Sequence, residues 1–233
     1  FLNSVREEVN LESLLQTHRT QTLRRMKRES TVLIVQDTTE LNFSTRSACE
    51  GLGSIGSNQT GAQSRGLDLH SCLAVGGQSG LPLGVLGMNI YASHFDSEEK
   101  AQDRPIEEKE SYRWLRDIDE LVEVSECAPD TELIAVGDRE SDLFELFDYR
   151  RRKARHIHLL VRARYDRCLQ DEPLKLFAHL ESLPLMGEAT ISVPRQREKK
   201  GKPSQPGRIS LPARRAKVQL RWAKVTISAP ASP

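Results

Sequence analysis

Long apolar runs are missing from this sequence of 233 residues. No window approaches the roughly 18 consecutive apolar residues that span a bilayer, so we expect neither a membrane-spanning segment nor a membrane partner. The first residues, Phe1-Leu-Asn-Ser-Val-Arg-Glu-Glu, carry no secretory signal pattern, and Phe1 in place of Met indicates an excerpt of a longer chain. These absences predict a cytoplasmic protein.

Cysteines are few and widely separated. The chain has four, and no two of them form a Cys-x-x-Cys pair. This spacing favours reduced thiols over a zinc site or a set of disulfides, as expected in the cytosol. The four are Cys49, Cys72, Cys127 and Cys168.

The motifs of two common enzyme classes are also missing. No Gly-x-Ser-x-Gly element or Cys/His pair marks a catalytic nucleophile. The glycine-rich stretch 51–61 lacks the Lys-Ser/Thr ending of a nucleotide-binding loop, and we interpret it as part of an exposed loop over residues 44–66. His156 and His158 alternate in a strand without an evident third ligand, which favours a structural role.

Net charge is small overall but strongly segregated. The formal net charge is +1. Residues 1–28 have six Lys/Arg and three acids, a net of +3; residues 29–149 have eight and 24, a net of −16; residues 150–233 have 20 and six, a net of +14. A basic third beside an acidic middle predicts a nucleic-acid partner and a cation site. The alternative is that the charged runs are only solvated faces.

Apolar periodicity and turn residues predict a mixed order of helices and strands. A helical segment over residues 1–28 is followed by three strands, a helix, a strand, a second helix and a fifth strand. The strands are expected at Thr31–Gln36, His70–Val75, Leu81–Tyr91, Leu133–Gly137 and Ile157–Val161, and the helices over 106–124 and from Arg139 onward.

This order is the core order of the ribonuclease-H-like fold, in which the first and fourth strands are neighbours. We therefore predict an α/β protein with a mixed sheet flanked by helices. Prolines and two short alternating runs, Ala189–Val193 and Val218–Ile227, predict a β-rich addition at the C-terminal end. The predicted parts are a helical N-terminal segment (1–28), an α/β core (29–165) and a basic β-rich addition (166–233).

Two aspartates that follow buried strands are the leading site candidates. Asp37 comes after Thr31-Val-Leu-Ile-Val-Gln, and Asp138 after Leu133-Ile-Ala-Val-Gly. Because the element order places these strands side by side, we expect the two carboxylates to lie close together. Such a pair repels itself unless a cation lies between the oxygens, and hard oxygen ligands suit Mg²⁺ or Mn²⁺. Two unrelated surface aspartates are the alternative.

Basic residues near these elements are candidates for contacts with DNA phosphates. Arg139 could contact a phosphate or simply pair with Asp138. Arg162 and Arg164 alternate after the fifth strand and could clamp a DNA backbone, although a solvated strand end is the alternative. The predicted DNA-binding residues are Arg139, Arg162, Arg164, Arg167, and Lys199 and Lys200 of a basic loop.

Four short blocks of sequence are informative as a set. They are Val35-Gln-Asp-Thr-Thr-Glu-Leu, Leu69-His-Ser, Glu108-Lys-Glu-Ser-Tyr-Arg-Trp-Leu and Val136-Gly-Asp-Arg-Glu-Ser-Asp. In this order and spacing they resemble the DDE transposases of bacterial cut-and-paste insertion sequences, closest to insertion-sequence family four with the transposon-five transposase. The resemblance covers nearly the whole chain.

The resemblance implies a core in which two Asp and one Glu hold two divalent cations, Mg²⁺ or Mn²⁺. The implied chemistry is nicking at transposon ends, hairpin formation and resolution, and strand transfer into target DNA. Asp37 and Asp138 correspond to the family's two aspartates, and Arg162 and Arg164 to a basic stretch near transposon-end DNA. The implied partners are double-stranded DNA and a second copy of the protein, in a bacterial, nucleoid-associated setting.

The chain departs from this family at the third acid. The family's Glu lies in a Tyr-x2-Arg-x3-Glu-x6-Lys signature, which no tyrosine of this chain begins. Tyr149 has Arg152 three residues on, but His156 stands where Glu is required. We therefore expect a fragment of such a transposase. Its core and insertion are incomplete, and the family's DNA-recognition domain, to which residues 1–28 would link, is missing. The fragment supplies two of the three catalytic carboxylates and is inactive alone.

Two alternatives to a catalytic fragment stay open. One is a non-catalytic DNA-binding fragment that inhibits a complete transposase. The other is a haloacid-dehalogenase-type phosphatase, because Gly137-Asp-Arg-Glu-Ser-Asp142 satisfies one motif of that family. That family also needs an Asp two residues after its nucleophile, where Thr39 stands, and a repeated strand–helix alternation that is not evident here.

Overall fold

The computed structural model describes residues 10–56, 64–93, 106–170, 172–198 and 209–230. The chain divides into two compact units, a larger one that ends at Arg164 and a smaller one over Tyr165–Ala231. The larger unit contains a mixed sheet with helices, and the smaller unit contains a separate two-stranded sheet. Lys199 and Lys200 lie outside the described residues.

Helix α1, Leu11–Met26, opens the larger unit and belongs to its core. Its first turn is closed by a capping box: the Asn10 side chain accepts a hydrogen bond from the Ser13 amide at 2.8 Å, and the Ser13 hydroxyl accepts one from the Asn10 amide at 3.1 Å. At the other end Met26 is fully buried. The predicted N-terminal helix is therefore confirmed over these residues, and it packs on the sheet.

Six strands form the main sheet in the described part of the larger unit. Their order is β2-β3-β1-β5-β6, with β4 also paired to β3. β1 runs antiparallel to β3 and parallel to β5, and β5 runs parallel to β6, which confirms the predicted mixed sheet. The strands are β1 Thr31–Asn42, β2 Gly53–Ile55, β3 Ser64–Gly76, β4 Pro82–Tyr91, β5 Glu132–Gly137 and β6 His158–Val161.

Two helices connect the parallel strands. Helix α2, Tyr112–Cys127, precedes β5, and helix α3, Phe144–Lys153, precedes β6. α2 is amphipathic: its buried positions recur every three or four residues, as one face of a helix requires. They include Trp114, Ile118 and Leu121. None of the described helices is both long and apolar enough to cross a membrane.

The hydrophobic core lies on one face of the main sheet. On β1, Val32 and Ile34 are fully buried, whereas Leu33 and Val35 are only half-buried. Successive side chains of a strand point to opposite faces, so the packed face is the one that carries Val32 and Ile34. Its helical partners include Met26 of α1, Trp114 of α2 and Leu146 of α3.

Several predicted boundaries are wrong. β1 does not end before Asp37 but continues to Asn42, because its antiparallel ladder with β3 extends that far. The expected exposed loop 44–66 contains β2 and the start of β3. The helix expected from Arg139 begins only at Phe144, because residues Arg139–Ser141 form a 3₁₀ turn capped by the preceding aspartate.

The smaller unit contains helix α4, Leu176–Ser182, and an antiparallel pair of β7, Gly187–Val193, with β8, Arg214–Leu220. α4 was not predicted. The run expected over Val218–Ile227 is a strand only in part: β8 begins earlier and ends at Leu220, opposite Gly187, and Ile227 forms an isolated bridge with Leu169.

Candidate active site

Asp37 lies on β1 just beyond the point where β1 stops pairing with β5. The parallel ladder with β5 ends at the pair Val35–Val136, whereas the antiparallel ladder with β3 continues past Asp37, which lies opposite Ser71. The Asp37 backbone is thus held on one side, and its side chain is exposed. Oδ1 of Asp37 accepts a hydrogen bond from the Thr38 amide at 2.9 Å, which orients the carboxylate.

Asp138 directly follows β5 and begins the 3₁₀ turn. Its Oδ1 accepts a hydrogen bond from the Glu140 amide at 2.8 Å, a capping contact that satisfies an otherwise unpaired donor. Ser141 is almost fully buried and donates its hydroxyl to the Asp138 carbonyl at 2.7 Å. These hydrogen bonds fix the backbone around Asp138, while the Asp138 side chain stays exposed.

Asp37 and Asp138 lie equally far beyond the last paired residues of two neighbouring parallel strands. The last parallel pair is Val35–Val136, and two residues further along each strand are Asp37 and Asp138. Side chains two residues apart lie on the same face, so both carboxylates lie on the face opposite the core. Paired strands are about 4.8 Å apart, and from the last pair, Val35–Val136, the two aspartates follow on the same face, as two ligands of a shared cation site must.

Arg162 lies at the same level as Asp138 on the next strand of the sheet. β5 and β6 pair through Gly137–Val161, and the Arg162 amide donates to the Gly137 carbonyl at 3.2 Å. Arg162 therefore follows β6 at the level of Asp138. Its side chain is exposed and forms no ion pair with any acid in the described ranges. A free guanidinium at this position can bind a phosphate beside the two carboxylates.

The other predicted DNA-binding residues lie in different surroundings. Arg139 is exposed and does not pair with Asp138 or with another described acid. The backbone amide of Arg164 donates to Oδ2 of the buried Asp142 at 2.6 Å, which anchors the chain after β6. Arg167 belongs to the smaller unit, with its guanidinium carbon 5.5 Å from the centre of the Tyr165 ring.

The carboxylate pair fits a hard divalent cation. One oxygen of each carboxylate accepts a backbone amide, and Oδ2 of Asp37 and of Asp138 has no hydrogen-bond partner in the part of the chain that the structure describes. Exposed carboxylate oxygens suit Mg²⁺ and Mn²⁺, and Mg²⁺ keeps several of its waters when bound. With two carboxylates as ligands, we expect weak affinity.

A polar cavity of about 230 Å³ lies next to the Asp37 strand and was missed by sequence reasoning. Its lining includes Thr38, Glu110, Arg113 and Glu140. The Arg113 guanidinium lies 3.0 Å from Oε2 of Glu140, so the start of α2 is tied to the turn after Asp138. No spacing in the sequence joins these residues, because they meet only through the placement of α2 on the sheet.

A buried polar cluster on the core face was also missed. His70 of β3 is 1% exposed; its Nε2 lies 2.7 Å from Oδ2 of Asp117, and its Nδ1 lies 2.8 Å from Oγ1 of Thr38. Trp114 packs edge-on against the imidazole with ring centres 4.9 Å apart. The Leu69-His-Ser block marked this position in the sequence, but nothing in it indicated the partners on α2 and β1.

Burial changes the proton affinities around this cluster. Burial, together with the Asp117 carboxylate, raises the pKa of the Cys72 thiol well above its usual range. Burial and the neighbouring Asp117 also raise the pKa of Glu120. Both shifts disfavour negative charge at these groups, as expected for acids crowded in a site of low polarity.

A scan of the chain against protein-family models finds no match. The residues of the site are therefore the basis for assigning a function to this chain. Asp37, Asp138 and Arg162 are the predicted site residues that the sheet brings into one row, and the fold around them is a mixed α/β sheet.

Proposed function

We propose that this chain is a fragment of the catalytic domain of a DDE transposase of the bacterial cut-and-paste insertion-sequence type, and that it supplies two of the three catalytic carboxylates. The observation that carries the proposal is that Asp37 and Asp138 each lie two residues beyond Val35–Val136, the last pair of two neighbouring parallel strands. A two-metal phosphoryl-transfer site needs two such carboxylates, fixed by the backbone and open to a large substrate. The four sequence blocks with which the chain resembles this family include both aspartates.

The strand order supports a ribonuclease-H-like core. β4, β3 and β1 are consecutive antiparallel neighbours, and β5 and β6 continue the sheet in parallel on the other side of β1. The first long strand and the strand after α2 are therefore adjacent, as that fold requires. The antiparallel half of the sheet counts against a haloacid-dehalogenase-type phosphatase, which is built by repeated strand–helix alternation, and so does Thr39 in place of the second Asp.

The chemistry follows from the position of each group. Divalent cations bound between Asp37 and Asp138 would supply activation of the attacking oxygen and charge stabilisation at the leaving oxygen. The attacking oxygen of water, or of a DNA 3′-hydroxyl, loses its proton to solvent and bonds to phosphorus as the phosphorus–3′-oxygen bond breaks, and the leaving 3′-oxygen takes up a proton. The Thr38 and Glu140 amides hold the two carboxylates in position, and Arg162 binds a phosphate beside them.

The substrate of this reaction is double-stranded DNA, at transposon ends and in target DNA, and a second copy of the full-length protein would pair the two ends. The net charge of +14 over residues 150–233 supports a polyanionic partner. Arg139 directly follows Asp138, and Arg162 lies at its level on the next strand; both are exposed and can contact the backbone of such a partner.

Calorimetric titration with Mn²⁺ tests the proposed site. We expect heat of binding in the wild-type chain and loss of that heat in Asp37→Asn and in Asp138→Asn. Asp130→Asn is the matched control, because Asp130 is an exposed aspartate that precedes β5 at the opposite edge of the sheet. Unchanged Mn²⁺ binding in both site variants would overturn the proposal, provided that circular dichroism shows all three variants folded.

A further inference from the structure

We propose a second metal site in this chain, a Zn²⁺ site made by His70, Cys72 and Asp117 with Glu120 as the fourth ligand. It lies on the core face of the sheet, opposite the face of Asp37 and Asp138, and it does not depend on the proposed transposase function. The wide spacing of the cysteines favoured four unliganded thiols. The fold instead surrounds one of them with other donors.

The donors come from two facing elements. His70 and Cys72 are two residues apart on β3, so both point to the core face. Asp117 and Glu120 are three residues apart on α2, so they lie on one side of that helix. One donor atom of His70, one of Cys72 and one of Asp117 all lie within 4.8 Å of one another, and all three residues are buried.

A glycine makes room for the fourth donor. Gly87 of β4 pairs with Cys72, and a Cβ atom at Gly87 would lie 3.0 Å from Oε2 of Glu120. The Glu120 carboxylate therefore lies in the space that a side chain at Gly87 would fill. It lies outside the group of three donors and would approach Cys72 as the ion binds. All four donor residues line one open cavity of about 330 Å³, which gives an ion a route to the site.

Polar partners from β1 already orient the two donors on β3. Oγ1 of Thr38 lies 2.8 Å from Nδ1 of His70, and Nε2 of Gln36 donates to Sγ of Cys72 at 3.8 Å. A hydrogen bond on the remote imidazole nitrogen fixes the ring of a histidine ligand and leaves Nε2 for the metal. A donor to sulfur stabilises a thiolate. Hydrogen bonds of this kind, made to the ligand residues and not to the metal, hold the ligands of a metal centre in position.

The charges of the cluster also favour a cation. Asp117 and Glu120 place two carboxylates beside one thiol, and their mutual repulsion adds to the cost of burial. Arg19 and Arg116 at the cavity wall offset this repulsion in part. A divalent cation in direct contact with the donors would neutralise the cluster at its centre.

The donor set selects Zn²⁺. One imidazole, one thiolate and two carboxylates give the mixed nitrogen, sulfur and oxygen ligands that tetrahedral Zn²⁺ accepts, with Zn–N and Zn–O distances of about 2.0–2.2 Å. Two such ligands at a tetrahedral angle are about 3.4 Å apart. His70 and Asp117, at 2.7 Å, form a hydrogen bond in the metal-free state and must separate slightly as the ion enters.

Cobalt substitution tests the site directly. The chain is stripped with a chelator, dialysed and titrated with Co²⁺, whose bond to a thiolate gives a sulfur-to-cobalt charge-transfer band in the near ultraviolet. We expect one equivalent to produce the band and Zn²⁺ to displace it. The band should be absent in Cys72→Ser and present in Cys127→Ser, the matched control at an exposed cysteine of α2.

Two further variants keep the test decisive. Glu120 is only half-buried, so Glu120→Gln should fold even if Cys72→Ser does not, and it should weaken Co²⁺ binding. Thr38→Val removes the contact to Nδ1 of His70 and should weaken binding by about 10–100-fold. Asp37→Asn and Asp138→Asn should leave the band intact, which separates this site from the Mn²⁺ site. A wild-type chain without the band, or a band that survives in Cys72→Ser, would overturn the proposal.

Discussion

Gly137 separates the buried part of β5 from Asp138, and there is no room for a side chain at this residue. A Cβ atom there would lie 2.3 Å from Oγ and 2.7 Å from Cβ of Ser141. Ser141 is buried and bonded to the Asp138 carbonyl, so it cannot move without shifting the turn. We expect Gly137→Ala to cost about 1–3 kcal/mol of unfolding free energy, measured by urea denaturation, and to weaken Mn²⁺ binding.

Gly187→Ala is the matched control, since both glycines lie in strands. The atom nearest to a Cβ at Gly187 is Cδ1 of Leu220, at an ordinary 3.9 Å. This variant should change the unfolding free energy by no more than about 0.5 kcal/mol and leave Mn²⁺ binding intact. Equal effects of the two substitutions would contradict the role given to Gly137.

At the scale of single residues, sequence patterns locate the acids better than their surroundings. Asp37 and Asp138 were predicted because each follows an apolar run that only a buried strand explains. His70 was not, because its burial depends on Asp117 and Thr38, which lie 47 and 32 residues away in the chain. A buried histidine is tolerated only when such partners exist, and no local pattern reveals them.

At the scale of elements, α2 and α3 are joined by a hydrogen bond between their exposed sides. The Tyr149 hydroxyl of α3 donates to Oδ1 of Asp119 on α2 at 2.6 Å, and this bond raises the pKa of Tyr149 to about 12. The folded pKa exceeds the unfolded value of about 10. The bond therefore stabilises the fold fully below pH 10, and the contribution is lost as the pH rises through about 12.

Titration of the phenolate absorbance with pH tests this contact. The wild-type chain should retain one tyrosine that ionises near pH 12, and Tyr149→Phe should remove that step. Tyr165→Phe changes an exposed tyrosine of the smaller unit and should leave the step in place. Because burial also raises the pKa of Tyr91, the size of the step decides: a high-pH step as large in Tyr149→Phe as in the wild type would show that Asp119 does not hold this hydroxyl.

Element types were easier to predict than element ends. The order of strands and helices followed from the period of apolar residues, and that order is confirmed over the main sheet apart from the short strand β2. The extension of β1 to Asn42 was missed because residues 38–42 are mostly polar and are held by β3 alone. The short helix α4 was missed because none of its residues is buried, so it carries no apolar stripe to recognise.

At the scale of the whole molecule, the segregation of charge predicts how binding responds to salt. If the basic residues from 150 onward neutralise phosphates, the affinity for a duplex falls with a log–log slope of about −0.9 per phosphate contact. Arg162→Glu should weaken binding to unrelated duplexes by the same factor, because phosphate contacts carry little sequence information. Fluorescence anisotropy on two unrelated 30-base-pair duplexes at several salt concentrations measures both effects.

Arg28→Glu makes the same charge change at a control position. Arg28 is exposed and precedes β1, at the sheet edge opposite Asp37. This variant should bind both duplexes nearly as the wild type does. A flat salt response, or equal losses in the two variants, would indicate that the basic residues are only solvated and that Arg162 has no particular role.

The pairing of β1 with β3 and β5 also determines which insertions and deletions would leave the site intact. Deleting or inserting one residue between Thr31 and Asp37 would shift the strand by one position against β3 and β5, and a shift of one turns each following side chain to the other face. Asp37 would then enter the core, and its place beside Asp138 would fall to Thr38 after a deletion or to the residue before Asp37 after an insertion. The connection after Arg164, where the larger unit ends, carries no such constraint of alternation, so length variation in natural sequences of this type should be absent from β1 and common in that connection.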